Sequence, residues 1–131
     1  MYPAELCVDF DQSQWVDYLA MDSLFLYSTL YTTQGFFDVI RRGVFGADTI
    51  KYLGMSLALL RDKLATDSNV QTSNVTIAAV VSLALMADKF GDVESARKHV
   101  QGLYQMVHLR GGIKTFQNNP QLQVKVCRYV L

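Results

Sequence analysis

Proline is nearly missing from this chain. Its only two, Pro3 and Pro120, lie near the ends, so residues 4–119 carry no helix breaker of that kind. Cysteine is just as scarce. Cys7 and Cys127 sit near opposite ends and form no CxxC pair, which argues against a disulfide framework and for an intracellular compartment. A charge surplus is missing too. Twelve basic and twelve acidic residues cancel, so the basic excess of a nucleic-acid-binding module is not there. The stretch Met1-Tyr2-Pro3-Ala4-Glu5-Leu6-Cys7-Val8-Asp9 has neither the positive cluster nor the apolar centre of a secretory signal. The longest nearly apolar run, Ile77 to Ala87, is interrupted by Ser82 and falls far short of the roughly 20 residues a membrane-spanning helix needs. GxGxxG, P-loop, HExxH and GxSxG patterns are absent, and no stretch alternates as a strand would.

What is present suits one all-α domain. At 131 residues the chain can bury a core. Half of it is hydrophobic and only 18% is charged, below the usual ~25%, so it has either a well-filled core or an apolar surface meant for a partner. Residues 1–12 read as an N-terminal segment and residues 13–131 as the helical core.

Helical spacing predicts about five helices. The first runs from Trp15 to about Arg42, capped by Asp11 or Ser13, with Trp15, Leu19, Leu26, Leu30 and Phe37 on one spacing. A bend or break is expected at Thr32-Thr33-Gln34-Gly35, where helix propensity drops. The second helix spans about Ala47 to Ala65. Ile50, Leu53, Leu57, Leu60 and Leu64 form its core-facing stripe, with Arg61, Asp62 and Lys63 facing away. A loop follows through Asp67, Ser68, Asn69 and Thr72. The third helix, from Ser73 or Asn74 to Phe90-Gly91, is apolar all round and is therefore expected at the centre. The fourth starts at an Asp92 cap and carries Val93, Ala96, Val100, Leu103 and Val107 inward. Glu94 can pair with Lys98, and Gly111 or Gly112 supplies the left-handed residue that stops the helix. The short Phe90-Gly91-Asp92 link makes helices three and four an antiparallel hairpin. A last helix begins near Gln121, with Leu122, Val126 and Val130 on one face. It reaches Leu131 uncapped, which reads as part of a longer chain.

Candidate chemistry is thin. His99 and His108 are nine residues apart, so on one helix they diverge and cannot ligate one metal. His99 is expected at the edge of the packed face and His108 nearer solvent. Cys127, near Lys125 and Arg128, could be a reactive thiol but reads better as a small core residue. Asp9 and Asp11 lack the partners of a catalytic pair. Arg41-Arg42 reads as charged helix surface. The glycines of Leu109-Arg110-Gly111-Gly112-Ile113 follow a helix instead of preceding one, the wrong end for a phosphate loop. The aromatics Trp15, Tyr18, Phe25, Tyr27, Tyr31, Phe36 and Phe37 could line a pocket, but a core helix with some exposed tyrosines is the simpler reading.

The run TIAAVVSLALMADKFGDVESARKHVQGLYQMVHLRGGIKTF resembles the regulatory domain of fungal-specific transcription factors, a family that usually carries an N-terminal binuclear zinc cluster. The resemblance rests on Gly91, Asp92, Ala96, His99, Gly102, Leu103, Met106, Val107, Leu109, Arg110, Gly111 and Gly112. Upstream, Thr33-Gln34, Phe37-Asp38 and Leu57-Ala58-Leu59-Leu60-Arg61-Asp62 fit as well, as does Asn119-Pro120 downstream. The chain departs from the family where the DNA reader would be. The cluster takes six cysteines and this chain has two, and the adjoining basic region and coiled coil are absent. The resemblance therefore implies a non-enzymatic regulatory domain, in nucleus or cytoplasm. It would bind a protein partner or small effector and use no metal, cofactor, membrane or direct DNA contact, and the twelve residues would serve as structural signature. The alternative is a tetratricopeptide-like helical-hairpin scaffold, because Ala84 followed by Gly91-Asp92-Val93-Glu94-Ser95-Ala96 looks like one such unit.

Overall fold

The computed structural model describes residues 22–65 and 73–130. Expectations placed on Cys7, Asp9, Asp11, Ser13, Trp15, Tyr18, Leu19 and the loop from Asp67 to Thr72 lie outside those residues. The described part is all-helical, with five α-helices: α1 (Ser23–Arg42), α2 (Ala47–Leu64), α3 (Asn74–Lys89), α4 (Val93–Arg110) and α5 (Pro120–Val130). A short 3-10 helix, Ile113–Phe116, lies between α4 and α5.

The third helix is central, as its composition requires. Eleven of the sixteen residues of α3 are buried, and it packs against α1, α2, α4 and α5. Ser82, in the middle of the helix, donates back to the Ala78 carbonyl at 2.9 Å and so can be buried without an orphaned group. Two hairpins, α1–α2 and α3–α4, account for most of the packing, and α5 closes the end formed by α3 and α4. Asn119 caps α5 by accepting the Leu122 N–H, and Pro120 occupies the first helical position, one residue earlier than expected. Leu122 and Val126 are fully buried; the Val130 side chain lies outside the described residues.

The corner between α3 and α4 is built from a shared residue. The Asp92 N–H donates to the Ala87 carbonyl at 2.9 Å, closing α3, while the Asp92 carboxylate accepts the Ser95 N–H at 3.1 Å, opening α4. The far end of α4 closes the same way. Gly112 N–H reaches Val107 O at 2.9 Å and Gly111 N–H reaches His108 O at 3.1 Å. Both glycines have positive φ, +116° and +100°, so the stop uses the pair and not one of the two.

Three sequence expectations are corrected. First, α1 does not break at Thr32–Gly35. Thr32 Oγ1 donates to Ser28 O at 2.7 Å and Ser28 Oγ to Phe25 O at 3.2 Å, so the weak helix formers are satisfied inside the helix. Gly35 lets α3 come close: a Cβ there would stand 2.5 Å from Met86 Cε. The inward face of α1 is Leu24, Phe25, Ser28, Tyr31, Thr32 and Asp38, whereas Phe37 is exposed. Second, α2 does not bury its five-residue stripe. Leu60 is buried and Leu53 half-buried, but Ile50, Leu57 and Leu64 are exposed. The helix is rotated so that Thr49 and Ser56 face inward. Thr49 is held by a carboxylate of α1, and Ser56 Oγ donates to Tyr52 O at 2.8 Å. Third, Lys63 does not face away; its ammonium meets Asp22 at 2.9 Å, tying the end of α2 to the cap of α1. On α4, Leu103, Met106 and Val107 are buried, Ala96 and Val100 are half-buried, and Val93 is exposed.

Two predictions follow from α4. Leu103→Asp should cost roughly 4 kcal/mol or more, the scale of an unpaired buried charge. Lys98→Ala, which removes only an exposed 3.4 Å pair with Glu94, should change chemical-denaturation stability by under about 0.5 kcal/mol. Equal losses would overturn the assigned face. Gly111→Val should cost roughly 1–3 kcal/mol, read as a lower thermal midpoint, because valine resists positive φ.

Candidate interaction surface

The twelve residues that carry the family resemblance are distributed by packing. Gly91 and Asp92 form the α3–α4 corner. Leu103, Met106 and Val107 are buried; Ala96, His99 and Gly102 are half-buried; Leu109 is exposed; Gly111 and Gly112 form the stop. Asp92 is held below the usual carboxylate range by its hydrogen bonds to Ser95. Burial pushes the His99 imidazole down, opposed by the charge of Asp92, while His108 stands exposed.

Among the signature residues, Arg110 ties three elements together through its side chain. Its guanidinium donates to Asn74 Oδ1 at the start of α3 and to the Thr115 carbonyl at 2.9 Å. It also lies 4.0 Å from the Phe116 ring centroid. It thus clamps the end of α4, the start of α3 and the 3-10 helix together. Partial burial pushes its pKa down. Sequence reading placed Arg110 only in the family signature, because its partners lie up to 36 positions away.

The second cluster is at the α1–α2 corner. Asp38 is only 2% exposed and accepts from Gln34 Nε2 (2.9 Å), Arg42 Nη2 (3.3 Å), Gly46 N–H (2.7 Å) and Thr49 Oγ1 (2.5 Å). Those bonds, Thr49 first and Gly46 next, hold its carboxyl far below the usual range. An acid with Gln at i−4 and Arg at i+4 was the available sequence signal. Beside it, Phe45 packs edge-on against Tyr31 (5.9 Å) and Phe90 (5.1 Å), and Phe36 meets Phe90 at 5.7 Å, joining the corners of both hairpins. Burial, with a contribution from Asp92, pushes the Tyr31 hydroxyl up to about 12. The aromatics of α1 therefore serve largely as mortar: Phe25 and Tyr31 are buried, Tyr27 and Phe36 half-buried.

The surface of the described residues includes two open clefts. One, of about 390 Å³, is lined by Gln34, Phe37, Asp38, Arg41 and Arg42. The other, about 270 Å³, lies along α4 between Tyr104, Gln105, His108 and Leu109. Among the described residues no group of three or more His, Cys, Asp or Glu could hold a metal ion, and no helix is long and apolar enough to cross a membrane. Cys127 is a half-buried free thiol.

The depressed Asp38 carboxyl has a pH consequence. Because its folded pKa lies below its unfolded value of about 3.9, its contribution is present above that value and is lost as pH falls through the acid range. Asp38→Asn should lower the thermal midpoint at pH 7, and the gap from the native chain should shrink as pH falls from about 5 to 2. A gap that stays constant with pH would assign the effect to packing alone.

Compared with known proteins, the chain matches no protein-family model, no curated protein and no solved structure.

Proposed function

We propose that this chain is a regulatory domain of the fungal-specific transcription-factor type that works by binding a protein partner or small effector, in the nucleus or cytoplasm, and does not itself contact DNA. The family resemblance motivates the class. The observation that supports a binding role is the set of large apolar side chains left on outer faces: Phe37, Ile40 and Val44 at the α1–α2 corner, Ile50 on α2, Leu109 on α4 and Val124 on α5. Single exposed apolar residues are ordinary on a protein surface, but Phe37, Ile40 and Val44 lie close together in sequence and Phe37 lines a cleft. Apart from the exposed Leu109, the twelve residues of the resemblance pack, cap or tie helices, and the outer faces are the surfaces open to recognition. A tetratricopeptide-like scaffold is the second reading, favoured by the two helical hairpins in succession.

Tethered to a promoter through an unrelated DNA-reading domain in a fungal cell, the chain should change reporter transcription. Purified alone, it should show no tight DNA binding with a steep salt dependence. A silent reporter, or salt-steep binding to specific DNA, would overturn the proposal.

A further inference from the structure

The geometry points to the α1–α2 corner as a docking site for an acidic peptide segment of a partner protein, one that presents aliphatic or aromatic side chains between its carboxylates. The inference rests on the partner-binding reading and names the surface and the chemistry of the partner.

Phe37, Ile40 and Val44 are 52%, 81% and 65% exposed, and Ile40 is the most exposed large hydrophobic residue described. Phe37 and Ile40 stand three residues apart on the last turns of α1 and so adjoin on its surface, with Phe37 lining the cleft; Val44 follows the Gly43 cap. Two guanidinium groups line the cleft with Phe37. Arg41 lies over the Phe37 ring at 5.0 Å, and among the described residues no carboxylate pairs with it. Arg42 bonds Asp38 through Nη2 at 3.3 Å, yet its side chain remains 64% exposed.

The one acid lining the cleft is turned inward. Asp38 is saturated by Thr49, Gly46, Gln34 and Arg42, so its charge is committed to the fold. The cleft therefore offers two guanidinium groups beside the Phe37 ring, with Ile40 adjoining Phe37 on the helix surface. A planar guanidinium held over an aromatic ring is prepared for a carboxylate, and the apolar row offers purchase to a side chain seated in the cleft. Nucleic acid would satisfy the cations and leave the apolar row uncovered. A peptide with carboxylates bracketing apolar side chains satisfies both.

The test uses the full chain and a fluorescein-labelled synthetic peptide of about 14 residues composed of Asp, Glu, Leu and Phe, long enough for about four helical turns. The same peptide with lysine at every acid is the control. Fluorescence anisotropy should show saturable binding of the acidic peptide, weakened by added salt. The lysine peptide should bind at least tenfold more weakly, which is about 1.4 kcal/mol. Arg41→Glu and Ile40→Asp should each lower affinity at least about tenfold, the effect expected at a charged and apolar hot spot. Val124→Ser, on the exposed face of α5, should leave it unchanged. Both corner positions are solvent-facing, and an unchanged thermal midpoint in each variant confirms that folding is not what the assay reads. Arg41→Ala provides a milder second variant, expected to weaken binding less than the charge reversal. Affinity that ignores Arg41→Glu and Ile40→Asp, equal binding of the lysine peptide, or a preference for phosphatidylserine vesicles over the peptide would overturn the site. A lost peptide interaction with an intact reporter response would sink this surface alone and leave the regulatory reading standing.

Discussion

A helix with no polar face has to be covered on every side, and α3 imposes that condition on everything around it. Its alanines and valines offer no route to water, so α1, α2, α4 and α5 are each held where they close one flank. The other helices can then afford irregular inner faces. Those of α1 and α2 carry serine, threonine and an aspartate, because their apolar share of the burial is supplied by the helix they cover.

The buried polar groups explain why the hairpin corners do not drift. At one, Asp38 collects donors from its own helix, from the connection and from α2, so the turn cannot open without stranding a charge. At the opposite end Arg110 spans α4, α3 and the 3-10 helix. Between them runs the aromatic chain Tyr31–Phe45–Phe90–Phe36, which couples the corner of the first hairpin to that of the second. The apolar core sets which helices meet, and these polar and aromatic ties set where along their lengths they meet.

Much of this was readable from the residues alone. The limits and centrality of α3, the Asp92 cap, a glycine stop after Arg110 and the divergence of the two histidines all follow from local spacing and capping chemistry, whereas the use of both glycines in that stop was not readable. The rotation of α2 was not readable. Ile50, Leu53, Leu57, Leu60 and Leu64 satisfy helical periodicity, and nothing local reveals that a carboxylate eleven positions before Thr49 draws the polar side inward. The continuity of α1 was hidden for a related reason: propensity registers the cost of Thr32 and Gly35 but not the packing that repays it. The corner surface shared that fate. Phe37 was counted with the core spacing and Arg41-Arg42 as plain charged surface, and only the fold sets them side by side around a cleft.

The corner at Asp92 also bears on how the chain reaches this arrangement. One residue ends α3 and begins α4, so the two helices are joined with almost no slack. Closing so short a connection costs little chain entropy, and the contacts it enables are close in sequence. The most apolar of the described helices thus has a partner that arrives with it. Its exposed lifetime before the first hairpin docks is shortened by a two-bond hinge.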